Sequence, residues 1–123
     1  MSRMDGSGSI FIRRARLSLN EHVLGTFAAN NVYFASLWGD ITGYIASAYR
    51  LYRNYDGNGG TFGNISIRAA SSDNVNSSVH AAIPAAGASA LHIIALNRNS
   101  NRALNAHFVI ASGEQFTSGN VMR

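Results

Sequence analysis

The sequence predicts an α+β fold in which one or two helices and a buried strand precede an antiparallel β-meander. Apolar residues recur at helical spacing before residue 55 and alternate with other residues from Ile65 onward. The change of period falls at Asp56-Gly-Asn-Gly-Gly60, a dense run of turn residues. Short strands joined by turn-rich links are typical of an antiparallel sheet or of half of a β-sandwich.

A first helix is predicted by the apolar positions Leu19, Val23, Leu24 and Phe27, and the Asn residues after Ala29 supply its stop. The following run, Val32–Trp38, is rich in strand-favouring residues and almost continuously apolar. This pattern predicts a strand buried on both faces, as in a parallel sheet. The neighbours that would bury it are not evident in this sequence.

A second helix is predicted over residues 40–54, with Asp40 as its cap. Its inner stripe would consist of Ile41, Tyr44, Ile45, Ala48, Leu51 and Tyr52.

Four strands are predicted after the glycine run, at Ile65–Ala70, Val79–Ile83, Leu91–Leu96 and Ala106–Ala111. At the other end of the chain, residues 1–9 are rich in Gly and Ser, which favours a poorly ordered tail. Residues 10–19 are short, apolar and basic, and periodicity assigns them neither to helix nor to strand.

Composition excludes several chemistries. The chain of 123 residues has room for one domain and contains no Cys, hence no disulfide, Cys-containing zinc site or thiol nucleophile. All ten basic residues are Arg, and the only cluster, Arg13, Arg14 and Arg16, gives weak support for nucleic-acid binding. No apolar run is long enough to span a membrane, and the start of the chain lacks a secretory apolar region. We therefore expect no nucleic-acid or membrane partner, and the localisation stays open because a fragment would have lost its export signal.

Three stretches in order carry a resemblance to a known family: Asn31-Val-Tyr-Phe-Ala-Ser-Leu-Trp-Gly-Asp40, Ala48-Tyr-Arg-Leu-Tyr-Arg-Asn-Tyr-Asp-Gly57 and Gly60-Thr-Phe-Gly-Asn64. Together they resemble glycoside hydrolase family 44, and the resemblance covers roughly residues 21–112. Members of this family are endoglucanases and xyloglucanases with a catalytic (β/α)8 barrel and a β-sandwich beside it.

The resemblance implies a domain organisation. Residues 1–20 are a tail of unclear origin, residues 21–58 the last β/α unit of a barrel, and residues 59–123 a β-sandwich-like C-terminal domain. The two catalytic carboxylates of the family lie on earlier barrel strands, so no catalytic residue is predicted here. Trp38 would end the last barrel strand, where barrel enzymes place active-site residues, and is either a sugar-subsite residue or a core aromatic.

The remaining polar candidates favour structural roles. Asn20-Glu21 superficially matches the pair that carries the acid/base in such enzymes, but Glu21 falls at the start of a helix, where an acid is favourable. Asp40 suits a helix cap and Asp56 a turn. The histidines, which are His22, His80, His92 and His107, share no metal-ligand spacing, so neither a metal nor a cofactor is predicted.

The sequence thus predicts a noncatalytic C-terminal fragment of a family 44-like enzyme acting on β-glucan or xyloglucan, with a structural role in its parent. Its polysaccharide contact would come through the parent, which the family implies is secreted, and the isolated chain would self-associate. The alternative is a small carbohydrate-binding module that uses exposed aromatic residues. An active hydrolase fits the residues least.

Overall fold

Two helices and a five-stranded sheet make up the part of the chain that the computed structural model describes, residues 6–13, 18–111 and 115–122. The helices are α1 (Ser18–Ala29) and α2 (Gly43–Arg53). The strands are β1 (Gly6–Arg13), β2 (Ile65–Ile67), β3 (Ser77–Ile83), β4 (Leu91–Asn97) and β5 (Phe116–Met122). The predicted α+β class is confirmed. Neither helix in these ranges is long and apolar enough to cross a membrane.

Helix α1 ends at the two Asn residues that follow Ala29, as predicted. Asn31 takes a left-handed conformation with φ of 54°, which Asn tolerates better than most residues. Its N–H lies 3.5 Å from the carbonyl oxygen of Ala28, and the N–H of Val32 donates to Phe27 at 3.0 Å. These are the two hydrogen bonds of a Schellman motif, which satisfies carbonyls left over at a helix end.

Helix α2 begins at Gly43 rather than at the predicted Asp40. Thr42 occupies the N-cap position in an extended conformation, without a side-chain capping bond. The Asp40 cap was therefore wrong, because the first helical hydrogen bonds go to the carbonyl of Thr42. The predicted inner stripe is confirmed at Ala48 and Leu51, which are 0% and 2% exposed. It was wrong at Ile41, which precedes the helix and is 56% exposed.

The sheet has the order β2-β3-β4-β1-β5. Strands β2, β3 and β4 are antiparallel neighbours, which confirms the predicted meander, with His80 opposite Ile94 at its centre. Strand β1 runs parallel to both β4 and β5. Residues 6–9, predicted to be tail, thus lie in a strand. Gly8 and Ser9 pair with β4, and all four residues pair with β5.

The predicted strand Ala106–Ala111 was wrong. These residues have no regular secondary structure, and Val109 is 80% exposed. The edge of β4 that they would extend is occupied by β1. Residues 104–111 instead line an open concavity of about 600 Å³ together with side chains of β3 and β4.

The hydrophobic core joins helix α2 to the sheet. Its buried members are Leu51, Phe62, Ala82, Ile94 and Leu96. Phe62 donates its backbone N–H to the carbonyl of Tyr52 at 2.9 Å, and the two rings meet edge to face at 5.2 Å between centroids. The core therefore contains residues from both sides of the glycine-rich run at residues 56–60.

Candidate functional site

The surface feature that stands out is the segment from Val32 to Ile41, called here the aromatic segment. Tyr33 and Trp38 are fully exposed, at 102% and 101%, and Phe34 is 78% exposed. Val32, Leu37 and Ile41 are also exposed, at 44%, 43% and 56%. Aromatic side chains usually bury a large part of their area in cores or interfaces. An exposed apolar run of this kind is a candidate interaction site.

The prediction that Val32–Trp38 forms a buried strand was wrong for this chain. The residues have no regular secondary structure and are exposed throughout. In the described part of the chain, none of the N–H groups of residues 33–41 donates to a backbone carbonyl. An apolar run becomes a buried strand only beside strands that pair with it, and the sheet of this chain does not take it up.

Trp38 lies at the C-terminal end of the run Val32–Trp38, next to Gly39, whose φ is 116°. A positive φ of this size is readily adopted only by glycine, so the chain turns directly after the indole. The exposed ring is not a core aromatic within the described part of this chain. Its assignment to a sugar subsite stays a prediction.

The carboxylate of Asp56 stabilises the glycine-rich turn in which it lies. Asp56 accepts hydrogen bonds from the backbone N–H groups of Asn58 at 2.8 Å and Gly60 at 2.9 Å. These bonds hold the pKa of Asp56 below its usual value. The predicted turn role of Asp56 is confirmed.

The carboxylate of Asp73 is also hydrogen-bonded within its own turn. It accepts from the side chain and the backbone of Asn76, and these bonds lower the pKa of Asp73. A general acid for glycoside hydrolysis needs the opposite shift, toward neutral pH. Glu21 belongs to the first turn of α1, which agrees with its predicted position in a helix.

Two of the dispersed histidines meet in the fold. His22 of α1 and His80 of β3 approach at 3.2 Å between Nδ1 and Nε2, although 58 positions separate them in the sequence. No short spacing signals this contact, so sequence reasoning missed it. His92 is buried and its Nδ1 contacts the carbonyl oxygen of Phe62. Among the described residues, no three His, Cys, Asp or Glu side chains come together as metal ligands.

The proposed basic cluster falls mostly outside the described residues, since Arg14 and Arg16 belong to the undescribed range 14–17. Arg13 ends strand β1. The nucleic-acid reading therefore stays untested.

Comparison with known proteins relates the chain to a short segment of much longer glycoside hydrolases. The chain is 46% identical over 100 residues to endoglucanase A of Paenibacillus lautus, covering 80% of this chain and 14% of that protein. It is 41% identical over 99 residues to β-mannanase/endoglucanase A of Caldicellulosiruptor saccharolyticus, covering 80% of this chain and 7% of the relative. No family model matches the chain.

The structural comparison points to the same family. A family 44 xyloglucanase from Paenibacillus polymyxa, solved with xyloglucan, superposes with a TM-score of 0.55 at 41% identity, over 63% of this chain and 16% of that chain. The chain is thus a relative of a segment of family 44 glycoside hydrolases, and the predicted resemblance is confirmed. It spans only a small part of the length of these relatives.

Proposed function

We propose that this chain is a noncatalytic segment of a family 44-type glycoside hydrolase that acts on β-glucan or xyloglucan, and that its role in the parent is structural. The aromatic segment is the part that packs into the catalytic barrel. The single observation that carries the proposal is an apolar run with the composition of a buried strand that stands exposed in a chain related to a much larger enzyme. Among the described residues, no backbone N–H of residues 33–41 donates to a backbone carbonyl.

The pattern of exposure supports packing on both sides of the segment. Tyr33 and Phe34 are adjacent in sequence, so in an extended chain their side chains point to opposite faces. Both are strongly exposed. A sugar-binding platform requires apolar rings on one face only, whereas a strand inside a parallel barrel requires them on both.

The rest of the chain supplies the connection to a second domain in this proposal. Residues 21–58 form the last β/α unit of the barrel, and residues 59–123 belong to the β-sandwich-like domain. The core that contains Leu51 of α2 and Ile94 of β4 links the two parts. Removal of this link would separate the barrel from the sandwich.

The hydrogen bonds and lowered pKa values of Asp56 and Asp73 fit a noncatalytic role for these two acids. Retaining hydrolysis needs two carboxyl groups about 5–5.5 Å apart, one of them with a raised pKa. Asp56 and Asp73 have a lowered pKa and are hydrogen-bonded within their own turns. Hydrolysis would therefore depend on carboxylates from the remainder of the enzyme.

The test is fragment complementation. The Paenibacillus lautus relative, expressed without the segment that matches this chain, is mixed with the 123-residue chain, and hydrolysis of a soluble β-glucan is measured. We expect activity from the mixture and none from either polypeptide. Phe34→Asp should abolish it, whereas Val75→Asp, at an equally exposed apolar residue (81% against 78%) in a turn before β3, should not. Activity of the isolated chain would contradict the proposal.

The exposure of Tyr33 and Trp38 also favours a second candidate, a small module that binds polysaccharide directly. Heteronuclear NMR of the chain with xyloglucan oligosaccharides separates the two. Shifts that saturate with sugar and vanish in Trp38→Ala would establish a binding module. Unchanged spectra at millimolar sugar, together with successful complementation, would exclude the binding module and support the structural role.

A further inference from the structure

The contact between His22 and His80 lies at the junction of helix α1 with the sheet. The ring centroids are 5.3 Å apart and the ring planes are inclined by 42°. The distance of 3.2 Å between Nδ1 of His22 and Nε2 of His80 is a hydrogen bond in which one ring must donate and the other accept. Both rings are half-buried, and His80 is the more enclosed of the two.

The helix is fitted closely around this pair. Gly25, one turn after His22, is buried against the ring of His80, and a Cβ atom on Gly25 would lie 2.4 Å from Cγ of that ring. Real Cβ atoms do not approach so closely, so only glycine allows the helix to rest at this distance. Helix α1 therefore packs directly against the imidazole of His80 at Gly25.

The hydrogen bond between the two rings can form only while at least one of them is neutral. With both rings neutral, one N–H donates to one bare nitrogen; with one ring charged, the imidazolium donates to the neutral partner. With both rings charged, each facing nitrogen carries a proton and no acceptor remains. Two positive charges at this distance also repel each other.

No described side chain supplies a negative charge that would stabilise the pair when both rings are protonated. Among the described side chains, the charged group that acts on His22 is Arg98, which follows β4 and is fixed by its bond to the carbonyl of Asn74 at 3.2 Å. Across the sheet, β4 presents the apolar Ile94 opposite His80. Among the described side chains, no carboxylate shifts the pKa of either ring.

We propose that the His22–His80 contact is a pH-sensitive clasp, which holds α1 against the sheet while at most one ring is protonated and releases it when both are. Burial, with the charge of His22 as a lesser cause, lowers the pKa of His80 from 6.5 to about 4. Burial and then Arg98 lower the pKa of His22. Because the folded chain binds these protons less readily than the unfolded chain, the clasp stabilises the fold fully above pH 6.5, and this contribution is lost as the pH falls toward 4.

The experiment follows the full chain between pH 8 and pH 4 by two NMR readouts, the ring signals of each histidine and hydrogen exchange of the α1 amides. We expect His80 to titrate well below an ordinary histidine. The protection of α1 should fall in the same pH range, by up to about 300-fold if the whole shift acts on the helix. In His22→Gln/His80→Gln, protection should no longer depend on pH in this window. His107→Gln, at an exposed histidine on the segment after β4, is the matched control and should behave as the parent chain.

Two results would overturn the proposal. One is titration of His80 at the value of a free imidazole, and the other is a pH-dependent loss of α1 protection that is identical in the double variant. Should the double variant fail to fold, the ring titration of the unmodified chain still decides, because the clasp requires the helix to open with the second protonation.

Discussion

Substitution of Gly25 by Ala tests the close fit between α1 and the sheet. In an ordinary helix interior this change stabilises by about 1 kcal/mol, because Ala has the higher helix propensity. At Gly25 the new methyl group would lie 2.4 Å from Cγ of His80, too close for a carbon contact. Insertion of a methyl group into a packed site costs about 1–3 kcal/mol. We therefore expect Gly25→Ala to be destabilising by about 1 kcal/mol, the sum of a gain and a larger cost.

A double-mutant cycle with His80→Ala isolates the steric cost of the Gly25→Ala substitution, since His80→Ala removes the ring that the new methyl group would meet. In this background Gly25→Ala should stabilise by about 1 kcal/mol, so that the coupling between the two positions amounts to about 1–3 kcal/mol. Urea unfolding followed by far-ultraviolet circular dichroism, at low chain concentration to limit self-association, measures all four proteins. Equal stabilisation by Gly25→Ala in both backgrounds would refute the reasoning.

Four further predictions follow from burial, charge and hydrogen bonding. Ile94→Ala should cost about 2–5 kcal/mol in the same urea assay, because Ile94 is fully buried in the core; a loss below 1 kcal/mol, as at surface sites, would mean that this core is not packed. The free energy of unfolding should decrease between pH 6.5 and pH 4 through the lowered pKa of His80. The full shift is worth about 3 kcal/mol, and partial exposure of the ring reduces the expected loss to about 1–2 kcal/mol; a flat profile would contradict it. Trp38→Ala should change stability by no more than about 0.5 kcal/mol, since the indole is fully exposed, yet it should weaken complementation. Asp56→Ala should speed hydrogen exchange of the two loop amides that the carboxylate binds, and unaltered exchange would show that the turn forms without it.

The elements that sequence reasoning predicted are those with a local signal. The stop of α1 at Asn31, the buried stripe of α2 at Ala48 and Leu51 and the turn at Asp56 are each determined by residues within a few positions of one another. The alternation from Ile65 likewise predicted an antiparallel strand. That strand ends at Ile67 rather than at Ala70, and its three residues are exposed.

What the sequence did not predict depends on partners far along the chain. Strand β1 occupies the edge of β4 that Ala106–Ala111 would have extended. The periodicity of a sequence does not determine which of two segments pairs with a given strand. The His22–His80 contact is set by the docking of α1 on β3 and has no spacing signature. Val32–Trp38 has the composition of a buried strand, but burial is a property of its neighbours and not of its own residues.

The most direct test of the central claim is hydrogen exchange of the amides of residues 33–41, measured in the chain alone and in its mixture with the truncated Paenibacillus lautus relative. In the isolated chain these N–H groups bond to no backbone carbonyl in the described residues, so they should exchange at nearly the rate of an unfolded peptide. In the mixture they should become protected by about 100-fold or more, as expected for amides paired in a buried sheet. Unchanged exchange in a mixture that has formed a complex would contradict the claim that the aromatic segment is a barrel strand awaiting its neighbours.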